Sequence, residues 1–161
     1  MIRVLFVCLG NICRSPMAEA VFRDLVKKKN LQHIIEIDSA GTGNYHIGKS
    51  PHEGTLHILK QNSISSEGMK ARQVKEEDLG NFDYIIGMDA ENIGNLHRLA
   101  RYNKTGYIGR LLDFVPQGKV DDVPDPYFTG NFEEVYDLVK EGCARLLEEI
   151  ILKDLKKEEM Q

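Results

Sequence analysis

The chain has 161 residues, of which 21 are Lys or Arg and 25 are Asp or Glu, so its formal net charge is −4. This length suits one domain. The slight acidic excess argues against a dedicated nucleic-acid binder and gives no attraction to an anionic membrane surface. The longest apolar runs, such as Val4 to Leu9, are far shorter than the roughly 18 to 20 residues that a membrane-spanning helix needs.

Cysteine usage points to a reducing compartment. The chain has three cysteines, an odd number, and Cys143 lies far along the sequence from Cys8 and Cys13. The disulfide framework of a small secreted domain is therefore not expected. We predict a cytoplasmic protein.

The predicted elements alternate between strand and helix. The β-branched and aromatic run from Ile2 to Val7 predicts a buried parallel strand. Ser15 and Pro16 then open a segment with helical apolar spacing that runs to about Lys29. Further strands are predicted at 34–40, 84–88 and 106–112, and further helices around 51–61 and 90–102. This alternation predicts an α/β fold of three layers, with a four-stranded parallel sheet covered by helices on both faces.

The last helix has the clearest apolar period in the chain. Phe132, Val139 and Ile150 fall on one face of it, and Cys143 lies on the same face, which predicts that this cysteine belongs to the core. The preceding residues, 113–131, are rich in Pro and Gly and are predicted to form a loop. The charged residues 156–161 are expected to be a solvated tail.

The first strand runs directly into a segment suited to anion binding, Cys8-Leu9-Gly10-Asn11-Ile12-Cys13-Arg14-Ser15. Gly10 and Asn11 tolerate left-handed backbone angles, so the loop can curl with its N–H groups inward, in front of a helix N-terminus. Arg14 can hold two oxygens of a phosphate with its planar guanidinium. The positive potential of the loop N–H groups, the helix N-terminus and Arg14 also favours the thiolate of Cys8, which predicts a nucleophile.

The segment from Val7 to Ala20 resembles the signature of the low-molecular-weight protein tyrosine phosphatases. The likeness extends to the segments 38–42, 70–74, 84–89 and 125–127, in the order the family has them. It implies a flavodoxin-like fold, a domain of that family over 1–155, and metal-free hydrolysis of phosphotyrosine through a cysteinyl phosphate. Cys8 matches the family's nucleophile and Arg14 its phosphate-binding arginine, while Leu9, Gly10, Ile12 and Cys13 complete the loop.

A general acid is needed because a phenol has a pKa near 10 and leaves poorly as the anion. Chemistry alone does not choose between Asp113, Asp121, Asp122 and Asp125. Asp125 is favoured because Pro126 restricts its backbone and because the family's acid occupies the matching Asp-Pro-Tyr.

Aromatic side chains are predicted to wall a slot for the phenyl ring of the substrate. Tyr45, Tyr127 and Phe128 are predicted to lie on loops, where an aromatic side chain is less often part of the core than in a strand or helix. Such a slot selects phosphotyrosine over the shorter phosphoserine. The alternative for Tyr45 is simple packing of its loop.

Supporting residues are predicted around the nucleophile. Ser15 can donate a hydrogen bond to the Cys8 thiolate, although it can also serve as a plain helix cap. Ser39 and Asp89, at strand ends, are expected to support other side chains. Asn11 is an expected loop support, but Met69 stands near the position where mammalian family members have the histidine that orients it.

No cofactor or metal is expected, since the five histidines show no ligand spacing with Cys8 and Cys13. Inorganic phosphate is expected as product and competitive ligand. Arsenate reduction is disfavoured because only Cys143 remains downstream of the loop. An arginine phosphatase stays open, although Ile12 stands where those enzymes carry threonine. A non-catalytic phosphopeptide-binding module would need neither a thiol nor an acid, so the presence of Cys8, Arg14 and Asp125 together argues against this alternative.

The proximity of two cysteines in one tight loop predicts redox sensitivity. Peroxide oxidises a thiolate to a sulfenic acid, which a second thiol can capture as a disulfide. We predict a reversible Cys8–Cys13 disulfide. The alternative is a buried Cys13 that only packs.

Overall fold

The computed structural model describes residues 1–116, 118 and 120–155. The strands are β1 (Ile2–Cys8), β2 (Ile35–Gly41), β3 (Tyr84–Gly87) and β4 (Tyr107–Arg110). The helices are α1 (Arg14–Lys28), α2 (Glu53–Gln61), α3 (Glu76–Asn81), α4 (Ala90–Ala100), α5 (Pro126–Thr129) and α6 (Phe132–Ile150), with a 3₁₀ turn at Leu111–Phe114 and a π-helical turn at Ile151–Leu155. The predicted tail, 156–161, lies outside the described residues.

The four strands form one parallel sheet in the order β2-β1-β3-β4. β1 is therefore central, and its carboxyl end is flanked by two other strand ends. Cys8 pairs with Gly41 of β2, and Val7 pairs with Gly87 of β3. In open parallel sheets a crevice forms at such a point, where the chain turns to opposite sides of the sheet.

Alternation along β1 divides the core into two halves. Phe6 and Cys8 face one cluster, which also contains the buried faces of α1, α2 and α6. Leu5 and Val7 face the other cluster, which is closed by α3 and α4. The predicted three-layer α/β architecture with helices on both faces is confirmed, and Cys143 is fully buried in the first cluster.

Two local predictions need correction, and one short helix was not predicted. Helix α1 begins at Arg14, and its N-cap is Cys13 without a side-chain bond, so the interpretation of Ser15 as a cap is wrong. Helix α3 was not predicted because its six residues bury only Leu79 and show no apolar period. The stretch predicted as a loop contains α5, one turn that begins at Pro126, a residue compatible with a first helical turn. Among the residues described, no helix is long and apolar enough to cross a membrane.

Candidate active site

Residues 8–15, which we call the anion loop, connect the central strand to α1. Asn11 has a φ of 56°, in the left-handed region that asparagine tolerates. The carbonyls of Cys8 and Leu9 accept hydrogen bonds from the amides of Thr42 and Gly43, both at 2.9 Å. β2 approaches so closely that a Cβ on Gly41 would lie 2.8 Å from the Leu9 carbonyl oxygen. The curl of the loop is thus fixed from outside by backbone contacts.

The sulfur of Cys8 is surrounded by hydrogen-bonding groups. Its side chain is buried, and Sγ lies 3.0 Å from the Ser15 hydroxyl oxygen. The amide of Asn11 donates to the same sulfur at 3.2 Å. Donors directed at sulfur stabilise a negative charge there, so the arrangement suits a thiolate nucleophile.

The orientation of Asn11 does not depend on a histidine. Its Nδ2 donates to Ser15 Oγ at 2.7 Å and to Ser39 Oγ at 3.0 Å. Its Oδ1 accepts the backbone N–H of Arg72 at 3.0 Å. Met69 packs in the core beside α1 and α2. Two hydroxyls and a main-chain amide therefore hold this side chain, and the supporting role predicted for Ser39 has a geometric basis.

A buried acid was missed by the sequence reasoning. Glu19, on α1, accepts the hydroxyl of Ser39 at 2.6 Å through one oxygen and pairs with Arg23 at 2.6 Å through the other. Glu19 lies four residues after Ser15, on the same helix face. That i, i+4 spacing is the signal that points Glu19 toward the loop.

Arg14 connects the anion loop to two carboxylates. Its Nη1 lies 2.5 Å from Asp89 and 3.0 Å from the Val123 carbonyl, and its Nη2 lies 3.4 Å from Asp125. Burial lowers the pKa of Arg14, but Cys8, Asp89 and Asp125 raise it by more, so the guanidinium pKa lies above its ordinary value. The side chain is therefore a fixed positive charge in the loop.

Asp125 is placed by helix α5. It is the N-cap, and its Oδ1 accepts the N–H of Tyr127 at 3.0 Å, while Oδ2 faces Arg14. The carboxylate thus lies beside the guanidinium of Arg14. Of the four candidate acids, Asp125 is the one that forms an ion pair with Arg14.

A cavity of about 430 Å³ opens above the anion loop. Its lining contains ten of the twelve predicted site residues, and it adds one residue, His46. The lining residues are Cys8, Leu9, Gly10, Ile12, Cys13, Arg14, Tyr45, His46, Asp125, Tyr127 and Phe128. Asn11 and Ser15 belong to the anion loop but do not line the cavity; they form hydrogen bonds with Cys8 and with each other.

Aromatic rings form the walls of the cavity. Tyr127 contacts Phe128 edge-on, with centroids 5.5 Å apart, and its ring lies 6.3 Å from His46. Tyr45 lies on the other side of His46, at 6.5 Å. Tyr127 and Phe128 lie on helix α5 rather than on a loop, yet both remain more than half exposed. Such walls fit a flat ring.

His52 is a second residue that the sequence did not single out. It caps α2 by accepting the N–H of Gly54 through Nδ1 at 3.0 Å. Its amide donates to the Ile12 carbonyl at 2.7 Å, and its ring stacks on Phe132 at 5.0 Å. Histidine is not among the preferred N-caps, so no simple signal would have found it.

Cys13 differs from Cys8 in its environment. Burial, followed by the charges of Cys8 and Asp125, raises the pKa of the Cys13 thiol to about 12, against a smaller opposite effect of Arg14. Cys13 is thus a thiol at neutral pH. All three cysteines are free.

The residues described contain no group of three or more His, Cys, Asp and Glu side chains placed to hold a metal ion. The charges around the cavity come from Arg14, Asp89 and Asp125. The site therefore combines a sulfur nucleophile, a guanidinium and a carboxylate in one crevice.

Comparison with known proteins identifies the family. A family model described as low molecular weight phosphotyrosine protein phosphatase matches residues 3–160. The low molecular weight protein-tyrosine-phosphatase YfkJ of Bacillus subtilis is 63% identical over 150 residues, which are 93% of this chain and 96% of that protein. The Staphylococcus aureus protein of the same description, PtpA, is 45% identical over 94% of this chain and 95% of its own length.

Solved structures agree with the sequence comparison. The crystal structure of YfkJ superimposes with a TM-score of 0.94 at 61% identity, covering 96% of this chain and 97% of that one. A structure described as DARP, a drosophila arginine phosphatase, gives 0.86 at 35% identity, covering 94% and 99%. Fold similarity alone therefore does not distinguish a phosphatase that acts on a phosphate ester, such as phosphotyrosine, from one that acts on a phosphoramidate, such as phosphoarginine. On the match over residues 3–160 and these identities, the chain belongs to the low molecular weight phosphotyrosine protein phosphatase family.

Proposed function

We propose that residues 1–155 form a phosphotyrosine phosphatase domain in which Cys8 is the nucleophile, Arg14 binds the phosphoryl group and Asp125 is the general acid. The observation that carries these roles is their convergence on one cavity. Neither a metal nor another cofactor takes part in the proposed mechanism. The reaction proceeds in two steps, through a cysteinyl phosphate.

In the first step the Cys8 thiolate attacks phosphorus in line with the phenolic oxygen. A sulfur–phosphorus bond forms while the phosphorus–oxygen bond to the tyrosine breaks. Asp125 gives its proton to the departing oxygen, which leaves as the neutral phenol. The support for this step is geometric, since Asp125 lies 3.4 Å from Arg14 and lines the same cavity as Cys8.

The phosphoryl oxygens are held by Arg14 and the amides of the anion loop. Arg14 is almost fully buried, and its Nε is buried without a hydrogen-bond acceptor in the described part of the chain. A buried donor without a partner is costly, and a phosphoryl oxygen supplies the acceptor. Loop amides and a guanidinium stabilise the charge that spreads over these oxygens in the transition state.

In the second step Asp125, now a carboxylate, takes a proton from water, and the hydroxide attacks phosphorus. The sulfur–phosphorus bond breaks, Cys8 leaves as the thiolate, and inorganic phosphate is released. The Ser15 hydroxyl supports the departing sulfur from 3.0 Å. Phosphate is therefore both the product and a competitive ligand of the loop.

The substrate class follows from the walls of the cavity. Tyr45, Tyr127 and Phe128 present aromatic surface to a phenyl ring, and Ile12 adds an apolar floor. A phosphoarginine would bring a cationic, hydrogen-bonding group into this apolar slot. We therefore propose phosphotyrosine in a protein or peptide, with phosphoarginine as the competing substrate.

The proposal places the protein in the cytoplasm, without a nucleic-acid or membrane partner. Three free, buried cysteines suit a reducing compartment. A net charge of −4 gives no general attraction to polyanions.

Hydrolysis of three substrates tests the function. The protein should hydrolyse p-nitrophenyl phosphate and phosphotyrosine peptides, at rates unchanged by EDTA, and should act poorly on phosphoarginine. Activity only on phosphoarginine would assign the other substrate class. Loss of activity with EDTA would exclude the metal-free mechanism.

The variant Cys8→Ser tests the nucleophile separately. It should abolish turnover but still bind inorganic phosphate, because Arg14 and the loop amides remain. Calorimetric titration with phosphate distinguishes this result from loss of the fold. Residual turnover close to the wild-type rate would remove Cys8 from its role.

A further inference from the structure

The residues just before the general acid, 121–124, are attached to the sheet through Asp122. Its Oδ1 accepts the N–H of Ala90 at 3.0 Å and a hydrogen bond from Nη1 of Arg110 at 3.2 Å. Asp122 was one of four acids that chemistry alone did not separate. It does not line the cavity, so its carboxylate is available for a structural link.

The partners of Asp122 come from two neighbouring strand ends. Arg110 is the last residue of β4 and pairs with Gly87, the last residue of β3, while Ala90 begins α4 three residues later. One carboxylate oxygen thus joins the end of β4 to the start of the helix that follows β3. The amide of Val123 adds a bond to the Met88 carbonyl at 2.9 Å.

Arg110 is itself held in place. Its backbone N–H donates to Asp113 Oδ2 at 3.0 Å, and its Nε lies 3.3 Å from Asp113 Oδ1. The hydrogen bond to Asp122 is the largest cause of a pKa for Arg110 above its ordinary value. The two contacts with Asp113 thus place the guanidinium beside Asp122 at the edge of the sheet, where both side chains are partly exposed.

The chain between Asp122 and Asp125 transmits this position. Only Val123 and Pro124 lie between them, and Pro126 follows, so two prolines fix φ on both sides of Asp125. The Val123 carbonyl accepts from Arg14 at 3.0 Å. A shift at Asp122 is therefore passed to Asp125 with little flexible chain to absorb it.

We infer that Asp122, held by Arg110 and the start of α4, is a positioning residue that sets where the Asp125 carboxyl lies over the anion loop. This inference rests on the proposed role of Asp125 as general acid. Asp122 touches neither the substrate nor the reacting atoms. Its loss should weaken proton donation to the leaving oxygen and leave attack by Cys8 intact.

Leaving-group dependence separates these two effects. Phenyl phosphate needs a proton donor, whereas the more acidic p-nitrophenol leaves readily without one. The variant Asp122→Ala should lower kcat/KM for phenyl phosphate about tenfold, since a misplaced acid loses part of its contribution, and should change kcat/KM for p-nitrophenyl phosphate less than about twofold. A general loss of folding would lower both equally.

Three companion variants complete the test. Asp122→Asn keeps the Oδ1 atom that accepts from both Ala90 and Arg110 and should recover most of the loss. Arg110→Gln removes the other partner and should reproduce the selective loss on phenyl phosphate. Asp121→Ala removes an exposed carboxylate one residue away and should leave both substrates unchanged.

Asp125→Ala, measured in parallel, keeps the two hypotheses apart. If Asp125→Ala shows the selective loss and Asp122→Ala does not, the positioning role is wrong and the acid stands. If Asp125→Ala lowers both substrates equally, the proposed general acid is wrong. An equal fall for both substrates in Asp122→Ala and Arg110→Gln also overturns the inference.

Discussion

The hydroxyl oxygen of Ser15 lies 3.0 Å from the sulfur of Cys8. The direction of this hydrogen bond follows from a third group: Asn11 Nδ2 donates to the same oxygen at 2.7 Å, so the hydroxyl proton of Ser15 is free to point at sulfur. Toward the thiolate form of Cys8, which has no proton of its own, Ser15 is therefore the donor.

Removal of the Ser15 hydroxyl should slow turnover. Ser15→Ala deletes a hydrogen bond to a charged sulfur, of the kind worth about 1.5–3 kcal/mol, so we expect kcat to fall by about 10- to 100-fold. Steady-state kinetics with p-nitrophenyl phosphate measure this. Ser15→Thr keeps the hydroxyl and should retain more activity than Ser15→Ala. Equal activity of the wild type and Ser15→Ala would show that the bond has no catalytic role.

Asn11 combines a left-handed backbone with three side-chain hydrogen bonds. Asn11→Gly loses the side chain but tolerates φ 56°, whereas Asn11→Ala loses the side chain and is strained. The free energy of unfolding should therefore be lower for Asn11→Ala than for Asn11→Gly, by about 1 kcal/mol. Urea denaturation of both variants measures the difference. The reverse order would contradict the conformation of the loop.

Peroxide should inactivate the enzyme reversibly through a Cys8–Cys13 disulfide. The Cys8 sulfur is oxidised first, and the Cys13 thiol then displaces water from the sulfenic acid. Because the pKa of Cys13 is raised to about 12, the second step should be slow at neutral pH and faster as pH rises. Activity after peroxide and then dithiothreitol, with the mass of the loop peptide, measures both steps.

The control for this prediction is Cys13→Ser, which should recover less activity than the wild type. Inorganic phosphate should protect both proteins by occupying the anion loop. Equal recovery, with no loss of two hydrogens from the wild-type peptide, would leave Cys13 a packing residue.

Alkaline pH should destabilise the fold partly through Cys143. Burial raises the pKa of this thiol above the ordinary 9.0, so above pH 9 the unfolded chain loses a proton that the folded chain keeps. The stabilisation that comes from keeping the Cys143 thiol neutral is fully present below pH 9. Above pH 9 the free energy of unfolding falls through this group by about 1.4 kcal/mol per pH unit.

Cys143→Ala removes this titration. In urea denaturation between pH 9 and pH 11, the variant should show a shallower fall of the unfolding free energy than the wild type, whatever its stability at pH 7. Cys143→Ser should show the same shallower slope. A slope identical to that of the wild type would mean that Cys143 ionises equally in both states.

The sequence predicts best where signals are local. The strand ending at Cys8, the flexible Gly10 and Asn11, and the helix that follows are adjacent in the chain, so the anion loop could be expected in full. Asp125 needed the family likeness, because four acids in the same stretch share its chemistry.

Ser39 could be predicted as a support from its place at a strand end, but the side chain it supports could not, because the partners lie far apart in the sequence. Asn11 is held by Ser39 and by the main chain of Arg72, which lie 28 and 61 residues away. No periodic pattern reports a main-chain amide as a side-chain partner. The backbone amide of His52 likewise has a partner that is distant in the sequence, the carbonyl of Ile12.

The C-terminal helix shares its core with the first strand and the first helix. Val135, Val139 and Leu146 of α6 close the cluster that contains Phe6 and Phe22. During synthesis, the core around these aromatic side chains stays incomplete until residues 132–150 have emerged from the ribosome. Cys8 and α6 lie far apart in the sequence, yet the apolar face of α6 completes the core cluster in which the Cys8 side chain is buried. A chain truncated before α6 should therefore fail to form the stable fold that holds the anion loop.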